Sequence, residues 1–255
     1  MNLLQKFKSS NIETLLQLGR RLNLGRIKRR FFELWGIDRF SRPAFHDLER
    51  KLEVYLPAQG FFIEAGAYSG FYASNTYYLE RIKGWQGILI EPIPQYYRKC
   101  VRERPNSKVF NCALVAPDYA DNTIEMIDAA LVSVAKGTTK DDKTVKKSLE
   151  NFFKSKGHQP NKIQVSARTL TSILDEVNVT QIDFFSLDVE GFELNVLKGL
   201  NFYKYRPKFM LIECLNERNK DEIQSYLSNY SYRCIDKLSH RDYLFSHYGD
   251  YTIKE

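Results

Sequence analysis

The stretch that decides the fold runs from residue 61 to residue 92 and reads FFIEAGAYSGFYASNTYYLERIKGWQGILIEP. An apolar strand runs into a turn that contains Gly66 and Gly70, a helix follows, and a second apolar strand ends in Glu91. Glu91 lies 21 residues after Gly70, about where a ribose-binding acid belongs in a Rossmann-like βαβ unit. The pattern therefore predicts a site for a nucleotide-containing cofactor.

An acid at the end of the first strand indicates which cofactor this is. The dinucleotide fingerprint G-x-G-x-x-G uses its glycines to bring backbone N–H groups onto a pyrophosphate. The third glycine would fall at Glu64 or Ala67 here, and a carboxylate would repel a pyrophosphate. S-adenosylmethionine has no phosphate, and an acid attracts its sulfonium and ammonium groups. We therefore predict S-adenosylmethionine rather than NAD, with a plain strand-to-helix turn as the alternative.

Composition places the chain among globular proteins. Its 255 residues, 43% of them hydrophobic, suit one α/β domain with an amino-terminal extension. No run approaches the roughly 20 apolar residues of a membrane span, and the first residues lack the apolar stretch of a secretory signal. We expect a cytoplasmic protein, either free or peripheral to a membrane.

The positive charge is concentrated near the amino terminus. The net charge is +7, and basic residues interleave with apolar ones over residues 19–32. This segment fits either the solvated face of a packed helix or a surface for anionic lipid or anionic glycan. Nucleic acid is disfavoured as a partner because no recognised binding motif accompanies the patch. We divide the chain into a basic helical extension, 1–43, and a catalytic domain, 44–255.

Strands and helices alternate through the catalytic domain, after a helix predicted over residues 44–56. This order predicts an α/β fold with a mostly parallel sheet and helices on both faces. The predicted strands cover 61–64, 88–91, 108–114, 182–187 and 209–212, with further helices at 75–81 and 93–102. Ligands bind at the carboxyl ends of such strands. Four of the five deliver an acid to that edge: Glu64, Glu91, Asp188 and Glu213.

A long connection separates the third predicted strand from the fourth. Residues 117–162 are rich in Asp, Lys, Thr and Gly and have no periodic pattern. Because connections of this length in compact domains are usually functional or mobile, we favour a lid or an acceptor-binding element over simple disorder.

Five ordered blocks carry a more specific resemblance. They are FIEAGA at 62–67, SNT at 74–76 with YLE at 78–80, GWQGILIEP at 84–92, NCAL at 111–114 and FSLDVEGFELNVLKG at 185–199. Together they resemble the FkbM family of S-adenosylmethionine-dependent methyltransferases over about residues 45–215. The resemblance implies the Rossmann-like class I methyltransferase fold. It also implies O-methylation of a hydroxyl on a small-molecule acceptor such as a saccharide, glycoconjugate or natural product.

The resemblance also implies roles for individual residues. Glu64 and Gly66 would form the methionine side of the pocket, and Glu91 would hold the ribose hydroxyls. Asn75 would fix the loop after the first strand. The remaining cofactor contacts would come from Ala67, Ser69, Gly70, Pro92, Cys112, Ala113 and Asp188, with Cys112 and Ala113 beside the adenine. Many relatives have Asp where this chain has Ser69, so a polar contact from that position is in question.

Methyl transfer to an alcohol requires a base, because an alcohol does not ionise unaided near neutral pH. Asp188 is the predicted base, and Glu190 either shares that role or orients the acceptor. The competing interpretation is that these acids cap the following helix or face solvent. By analogy with other sugar methyltransferases, Glu213 could join Asp188 around a divalent cation, and oxygen ligands suit Mg²⁺. Among the histidines, only His158 in the 117–162 insertion is a candidate to reach the acceptor.

Two other function classes compete with this interpretation. An NAD-type oxidoreductase is disfavoured by Glu64 and the missing third glycine. A catalytically silent protein that docks on an anionic surface is disfavoured because unused acids at the strand ends would repel one another.

Overall fold

The computed structural model describes residues 24–129, 134–135, 150 and 161–248. The chain forms two compact units, residues 1–42 and 43–255. The first contains helix α1, Leu24–Leu34, which is followed by Gly36 in a left-handed conformation. Within this unit the buried Glu33 accepts hydrogen bonds from Arg30 and Ser41 at 3.0 and 2.8 Å. None of the described helices is long and apolar enough to cross a bilayer.

A seven-stranded sheet forms the centre of the second unit. Its strands lie in the order β10-β11-β9-β8-β1-β2-β3. They are β1 (Phe61–Ala65), β2 (Gln86–Ile90), β3 (Lys108–Phe110), β8 (Phe184–Leu187), β9 (Phe209–Glu213), β10 (Tyr232–Lys237) and β11 (Asp242–His247). β11 runs antiparallel to both of its neighbours, and the other pairings are parallel. This is the mostly parallel, Rossmann-like sheet that the sequence predicts.

Helices cover both faces of this sheet because successive residues of its central strands point to opposite sides. The side of Ile63 packs against α5 (Leu170–Val177), α6 (Glu193–Lys198) and α7 (Glu217–Ser228). The side of Phe62 packs against α2 (Leu48–Leu52), α3 (Tyr77–Arg81) and α4 (Pro94–Glu103). β1, β2, β8 and β9 are almost wholly buried, which explains their continuous apolar sequences.

A second, four-stranded sheet contains part of the predicted irregular insertion. Its order is β4-β7-β5-β6, formed by Ala113–Leu114, Asn161–Arg168, Thr123–Asp128 and Val134–Ala135. β5 pairs antiparallel with β7 along its whole length. The prediction of an irregular segment over 117–162 is therefore wrong for β5 and β6. Residues 130–133, 136–149 and 151–160 lie outside the described part, so the lid hypothesis stays a prediction.

Two predicted elements are divided. The strand predicted over 108–114 is two strands in different sheets, because Asn111 turns the chain by donating hydrogen bonds to the carbonyls of Glu91 and Pro92 at 2.9 and 2.8 Å. The helix predicted over 44–56 is a 3₁₀ turn, Phe45–Asp47, followed by the short α2. His46 and Asp47 have left-handed backbones that interrupt a regular helix there.

Candidate active site

A cavity opens at the carboxyl ends of β1, β2 and β8, where the predicted cofactor edge lies. It is lined by Gly66, Ala67, Tyr68, Tyr72, Ala73, Ser74, Glu91, Pro92, Met126, Asp188, Val189 and Glu190. Six of the twelve are predicted site residues. The parallel pairing of β1 with β2 and β8 brings them together although they are up to 124 residues apart in sequence.

A second, mainly apolar cavity adjoins the first. The two share Gly66, Pro92, Met126 and Val189. The second is also lined by Ala65, Ile90, Cys112, Ala113, Leu114, Phe192 and Val196. Cys112 and Ala113, the predicted adenine neighbours, therefore lie beside a pocket whose lining suits a flat apolar ring.

Gly66 is required by close backbone packing. Its φ of +85° is one that side chains disfavour, and a Cβ there would lie 1.7 Å from the carbonyl oxygen of Asp188. Only a residue without a side chain lets the loop after β1 approach the end of β8 this closely.

Glu64 lies just inside the protein from this loop. Its carboxylate accepts hydrogen bonds from the Ser74 hydroxyl, the Asn75 backbone N–H and the Thr76 hydroxyl at 2.7–2.9 Å. Arg104 Nη1 lies 3.1 Å from the same carboxylate. Glu64 is 4% exposed and does not line either cavity. In this geometry it holds the loop, and its contact with the cofactor stays a prediction.

Arg104 is fully buried beneath the loop. Its Nε lies 2.6 Å from Glu80, and its Nη2 donates to the Thr76 hydroxyl at 2.8 Å. The guanidinium also lies over the ring of Phe62, 5.1 Å from its centroid. The ion pairs of Arg104 with Glu64 and Glu80 thus connect the end of α4 to β1, α3 and the loop. Sequence reasoning missed Arg104, because nothing in Arg102-Glu103-Arg104 marks which arginine is buried.

The other predicted loop residues have supporting positions. The Ser69 hydroxyl accepts from the Tyr72 backbone N–H at 3.0 Å, and neither Ser69 nor Gly70 lines the cavities. A Cβ on Gly70 would lie 2.9 Å from the Cα of Cys100. The Asn75 amide donates to the Ser186 hydroxyl at 3.0 Å, which joins the loop to β8.

Glu91 faces the first cavity. Its two oxygens accept from the backbone N–H groups of Tyr68 and Ile93, each at 2.8 Å. Burial raises its pKa to about 8, against the lowering effect of these two hydrogen bonds. A carboxylate fixed by backbone groups, with lone pairs left over, is suited to accept hydrogen bonds from ribose hydroxyls.

Asp188, Glu190 and Glu213 form an acid cluster at the ends of β8 and β9. One oxygen from each lies within 4.8 Å of the others, and Arg241 Nη1 lies 3.5 Å from Glu213. The Asp188 side chain is exposed at the cavity, while its carboxylate is surrounded by protein atoms and by the other two acids. Desolvation, followed by the charges of Glu213 and Glu190, raises its pKa well above the usual range. Desolvation and then Glu213 raise the pKa of Glu190 to about 8.

Glu193 supports this cluster from the first turn of α6. It is fully buried and accepts hydrogen bonds from the backbone N–H groups of Gly191 and Val189 at 2.9 and 3.2 Å. Desolvation raises its pKa to about 7. Glu193 thus fixes the loop that carries Glu190, whose left-handed backbone has a φ of 55°.

Of the four acids predicted at this edge, Glu64 therefore lies apart from the other three. Glu91 lies in the cavity wall and Asp188 and Glu213 in the acid cluster, while Glu64 pairs with Arg104. A cavity with three acids in its wall, joined to a more apolar cavity, fits a cation attached to a flat ring. S-adenosylmethionine has this composition, with sulfonium and ammonium at one end and adenine at the other.

Several lining residues were missed by sequence reasoning. Tyr68 and Tyr72 lie in the loop after β1, where only the glycines gave a signal, and Met126 lies in the insertion that had no readable pattern. His46 and His240, discounted as catalysts, pack together with ring centroids 5.1 Å apart. His158 lies outside the described residues.

The sequence was compared with known proteins. It matches the methyltransferase FkbM domain over residues 64–234. No curated protein matches the chain significantly.

Several solved structures are similar to this chain at low sequence identity. One is the methyltransferase FkbM of Methylobacillus flagellatus KT, at 15% identity and a TM-score of 0.46, covering 74% of this chain and 44% of that one. This chain thus spans less than half of that protein's length. Another is the precorrin-6y C5,15-methyltransferase of Geobacter metallireducens GS-15, at 9% identity and TM-score 0.41, covering 78% and 84%. A third is Aeropyrum pernix fibrillarin with bound S-adenosyl-L-methionine, at 16% identity and a TM-score of 0.38, covering 78% of this chain and 75% of that one.

The domain match extends from Glu64 in β1 to Cys234 in β10 and so contains the loop, both cavities and the acid cluster. It covers most of the chain and coincides with the blocks that carry the sequence resemblance. The chain therefore belongs to the FkbM family of methyltransferases, whose cofactor is S-adenosylmethionine.

Proposed function

We propose that this protein transfers the methyl group of S-adenosylmethionine to a hydroxyl oxygen of a saccharide, glycoconjugate or natural product. The observation that carries the proposal is the acid cluster beside the cofactor cavity, because a hydroxyl acceptor needs a proton acceptor where the methyl group is delivered. When bound, the cofactor supplies a methyl carbon already activated by its sulfonium and takes the electrons of the broken C–S bond.

The residues of the chain would have separate tasks in this reaction. Gly66, Ala67 and Pro92 would shape the cofactor wall, and Glu91 would accept from the ribose. Asp188 would take the proton of the acceptor hydroxyl. Desolvation raises its pKa, and the positive charge of a bound cofactor would favour its ionised form. Glu190 would orient the acceptor, because it lies in the same cavity wall.

A calorimetric titration with S-adenosylmethionine, with NADH as the control, tests the cofactor. We expect saturable binding of S-adenosylmethionine alone. Transfer of a radiolabelled methyl group to a panel of methyl glycosides then tests the reaction. Tight binding of NADH would favour the oxidoreductase, and binding of neither compound would favour the silent scaffold.

We also propose that the acid cluster binds Mg²⁺. The donor set of Asp188, Glu190 and Glu213 consists only of carboxylate oxygens, which Mg²⁺ prefers. A cation there would favour the ionised carboxylates, against the burial and the neighbouring charges that raise the pKa values of Asp188 and Glu190. Methyl transfer should then stop on treatment with EDTA and return with added Mg²⁺. Full activity in EDTA would exclude this role.

We also propose that helix α1 docks on an anionic membrane surface. Ile27, Phe31, Leu34 and Trp35 follow helical spacing along one stripe and are 59–83% exposed. Residues 24–42 carry six basic and two acidic side chains. A basic helix with exposed Phe, Leu and Trp is suited to the boundary between lipid headgroups and acyl chains.

Sedimentation of the full chain with phosphatidylcholine vesicles, with and without phosphatidylserine, tests this docking. We expect association that requires phosphatidylserine and is lost in the Ile27→Asp, Phe31→Asp double variant. The control is Val101→Asp, Tyr203→Asp, which adds the same charge at exposed positions outside α1. Equal loss in both variants, or binding to heparin without binding to vesicles, would contradict the proposal.

A further inference from the structure

Aromatic side chains continue outward from the cofactor cavity. Tyr72 lines the cavity, and its ring lies edge to face with that of Phe45, with centroids 5.4 Å apart. Both side chains are about half exposed, Phe45 at 48% and Tyr72 at 49%. Two adjacent large rings that are half exposed beside a cavity form an apolar patch of the kind that marks ligand-binding sites.

Two histidines extend this surface. His46 follows Phe45 and contacts it with ring centroids 6.5 Å apart, and the ring of His240 packs on His46 at 5.1 Å. We call Phe45, His46, Tyr72 and His240 the aromatic rim. Its members come from three separate loops, so the fold rather than local sequence assembles it.

The rim lies at the same sheet edge as the acid cluster. β10 runs in the direction of β9, because β11 is antiparallel to both, and the turn with His240 follows the carboxyl end of β10. The next residue, Arg241, places Nη1 3.5 Å from Glu213 of the acid cluster. The rim is therefore connected to the cavity through Tyr72 and to the acids through His240 and Arg241.

The backbone of the rim is held in costly conformations. His46, Asp47 and Ala73, which follows Tyr72, all have a positive φ, of 57°, 56° and 61°. A left-handed backbone is strained for a residue other than glycine, and such strain is often found at ligand sites. Here the strained residues are His46 itself and the direct neighbours of His46 and Tyr72.

We infer that the aromatic rim is the acceptor subsite and that it binds a saccharide ring, an inference that rests on the proposed methyl transfer to a hydroxyl. A pyranose has an apolar C–H face that packs on an aromatic ring, and hydroxyls at its edge that bond to imidazole nitrogens. The rim offers both kinds of contact. The rings of Phe45 and Tyr72 are 85° apart, so they form no parallel slot for a flat aromatic acceptor.

Saturation-transfer-difference NMR on the full chain with saturating S-adenosylhomocysteine tests the inference. The probes are methyl rhamnoside, methyl glucoside and methyl galactoside, with p-cresol as the flat aromatic. We expect at least one glycoside to bind, and its dissociation constant to rise about tenfold in Phe45→Ala and in His240→Ala. Tyr203→Ala, which removes a ring that is 91% exposed on another loop, is the control and should bind like the wild type.

The outcomes separate the rim from the proposed reaction. Binding of no glycoside, equal binding by all variants, or binding of p-cresol alone would overturn the inference while calorimetric binding of S-adenosylmethionine is intact. The protein could instead bind a glycoside through Phe45 and fail to bind S-adenosylmethionine. That result would support the rim as a saccharide site and overturn the proposed methyl transfer. Cofactor affinities of the two rim variants within about twofold of wild type would exclude misfolding as the cause.

Discussion

At the scale of single residues, the acids of the site differ in how their charge is balanced. Glu64 and Glu80 both form ion pairs with the buried guanidinium of Arg104, which gives them a structural role. Asp188 and Glu190 have no such partner at ion-pair distance among the described residues, and their pKa values are raised. Acids that lack an ion-pair partner and have raised pKa values are the ones suited to take a proton.

Replacing Asp188 by Asn tests the base directly. The amide has nearly the same shape but cannot accept the hydroxyl proton, so we expect kcat to fall about 10²–10⁴-fold. The dissociation constant of S-adenosylmethionine should change little, as measured by calorimetry. Asp175→Asn, at an exposed position paired with Lys204, is the matched control. Unchanged turnover in Asp188→Asn would remove this residue from the mechanism.

The raised pKa values also predict how stability depends on pH. Glu190 has an ordinary pKa of 4.5 when unfolded and about 8 when folded. Between these values the folded protein holds a proton that the unfolded chain has released, so stability falls as pH rises from 5 to 8. Glu190→Gln removes this loss and should be more stable than wild type at pH 8 by about 1–2 kcal/mol, since Glu190 is partly open to solvent.

Urea denaturation of the free protein at pH 5 and pH 8 measures this effect. Glu222→Gln, an exposed residue on α7, is the control and should show the pH dependence of the wild type. If Glu190→Gln has the same stability difference between the two pH values as wild type, the acid is ionised in the folded protein.

At the scale of elements, the loop between β1 and α3 determines the site. It brings Gly66 against the end of β8, the Tyr68 N–H onto Glu91 and Asn75 onto Ser186. These contacts join three parallel strands at the edge where the cofactor is expected. The loop contains no helix or strand, and the buried pair of Glu64 and Arg104 beneath it holds its backbone in place.

Two glycines with similar backbones separate steric from conformational effects in this loop. Gly66→Ala would place a Cβ 1.7 Å from the Asp188 carbonyl, and we expect S-adenosylmethionine affinity to fall at least about tenfold. Gly84 also has a positive φ, of 73°, but has open space around it. Gly84→Ala should cost about 1 kcal/mol of stability and keep the affinity. Calorimetry measures the affinity of both variants for S-adenosylmethionine. Equal affinities would show that binding does not need the close approach of Gly66 to Asp188.

Sequence predicted four strands that are buried on both faces and missed β11, whose four central residues are also buried. β1, β2, β8 and β9 are continuous apolar runs, so their existence and order could be inferred. β7 and β10 are only partly buried and have no comparable signal. The division of 108–114 depends on side-chain hydrogen bonds from Asn111 to residues about twenty positions earlier, which local sequence does not encode.

At the scale of the whole molecule, the two units divide the proposed tasks. The cavities, the acid cluster and the aromatic rim all lie within 43–255, and the exposed stripe of α1 lies within 1–42. The sequence indicated this division through its charge distribution. It did not indicate which residues meet at the rim, because Phe45, Tyr72 and His240 are brought together only by the fold.

The division predicts that the tasks can be separated. The fragment 43–255 should bind S-adenosylmethionine and transfer the methyl group like the full chain, because every site residue remains. It should no longer sediment with vesicles that contain phosphatidylserine. Loss of cofactor binding in a fragment whose circular dichroism shows a folded protein would mean that the first unit contributes to the site.

The left-handed residues around the cavity have a consequence for engineering. Tyr68, Ala73 and Glu190 all lie in the cavity wall with a positive φ. Glycine at Ala73 would relieve about 1 kcal/mol of strain, and a design procedure that optimises stability alone would choose such a change early. It would also free the segment that aims Tyr72. A glycine substitution at one of these left-handed positions is therefore an easy way to raise stability. It is also the change most at risk of lowering the catalytic rate.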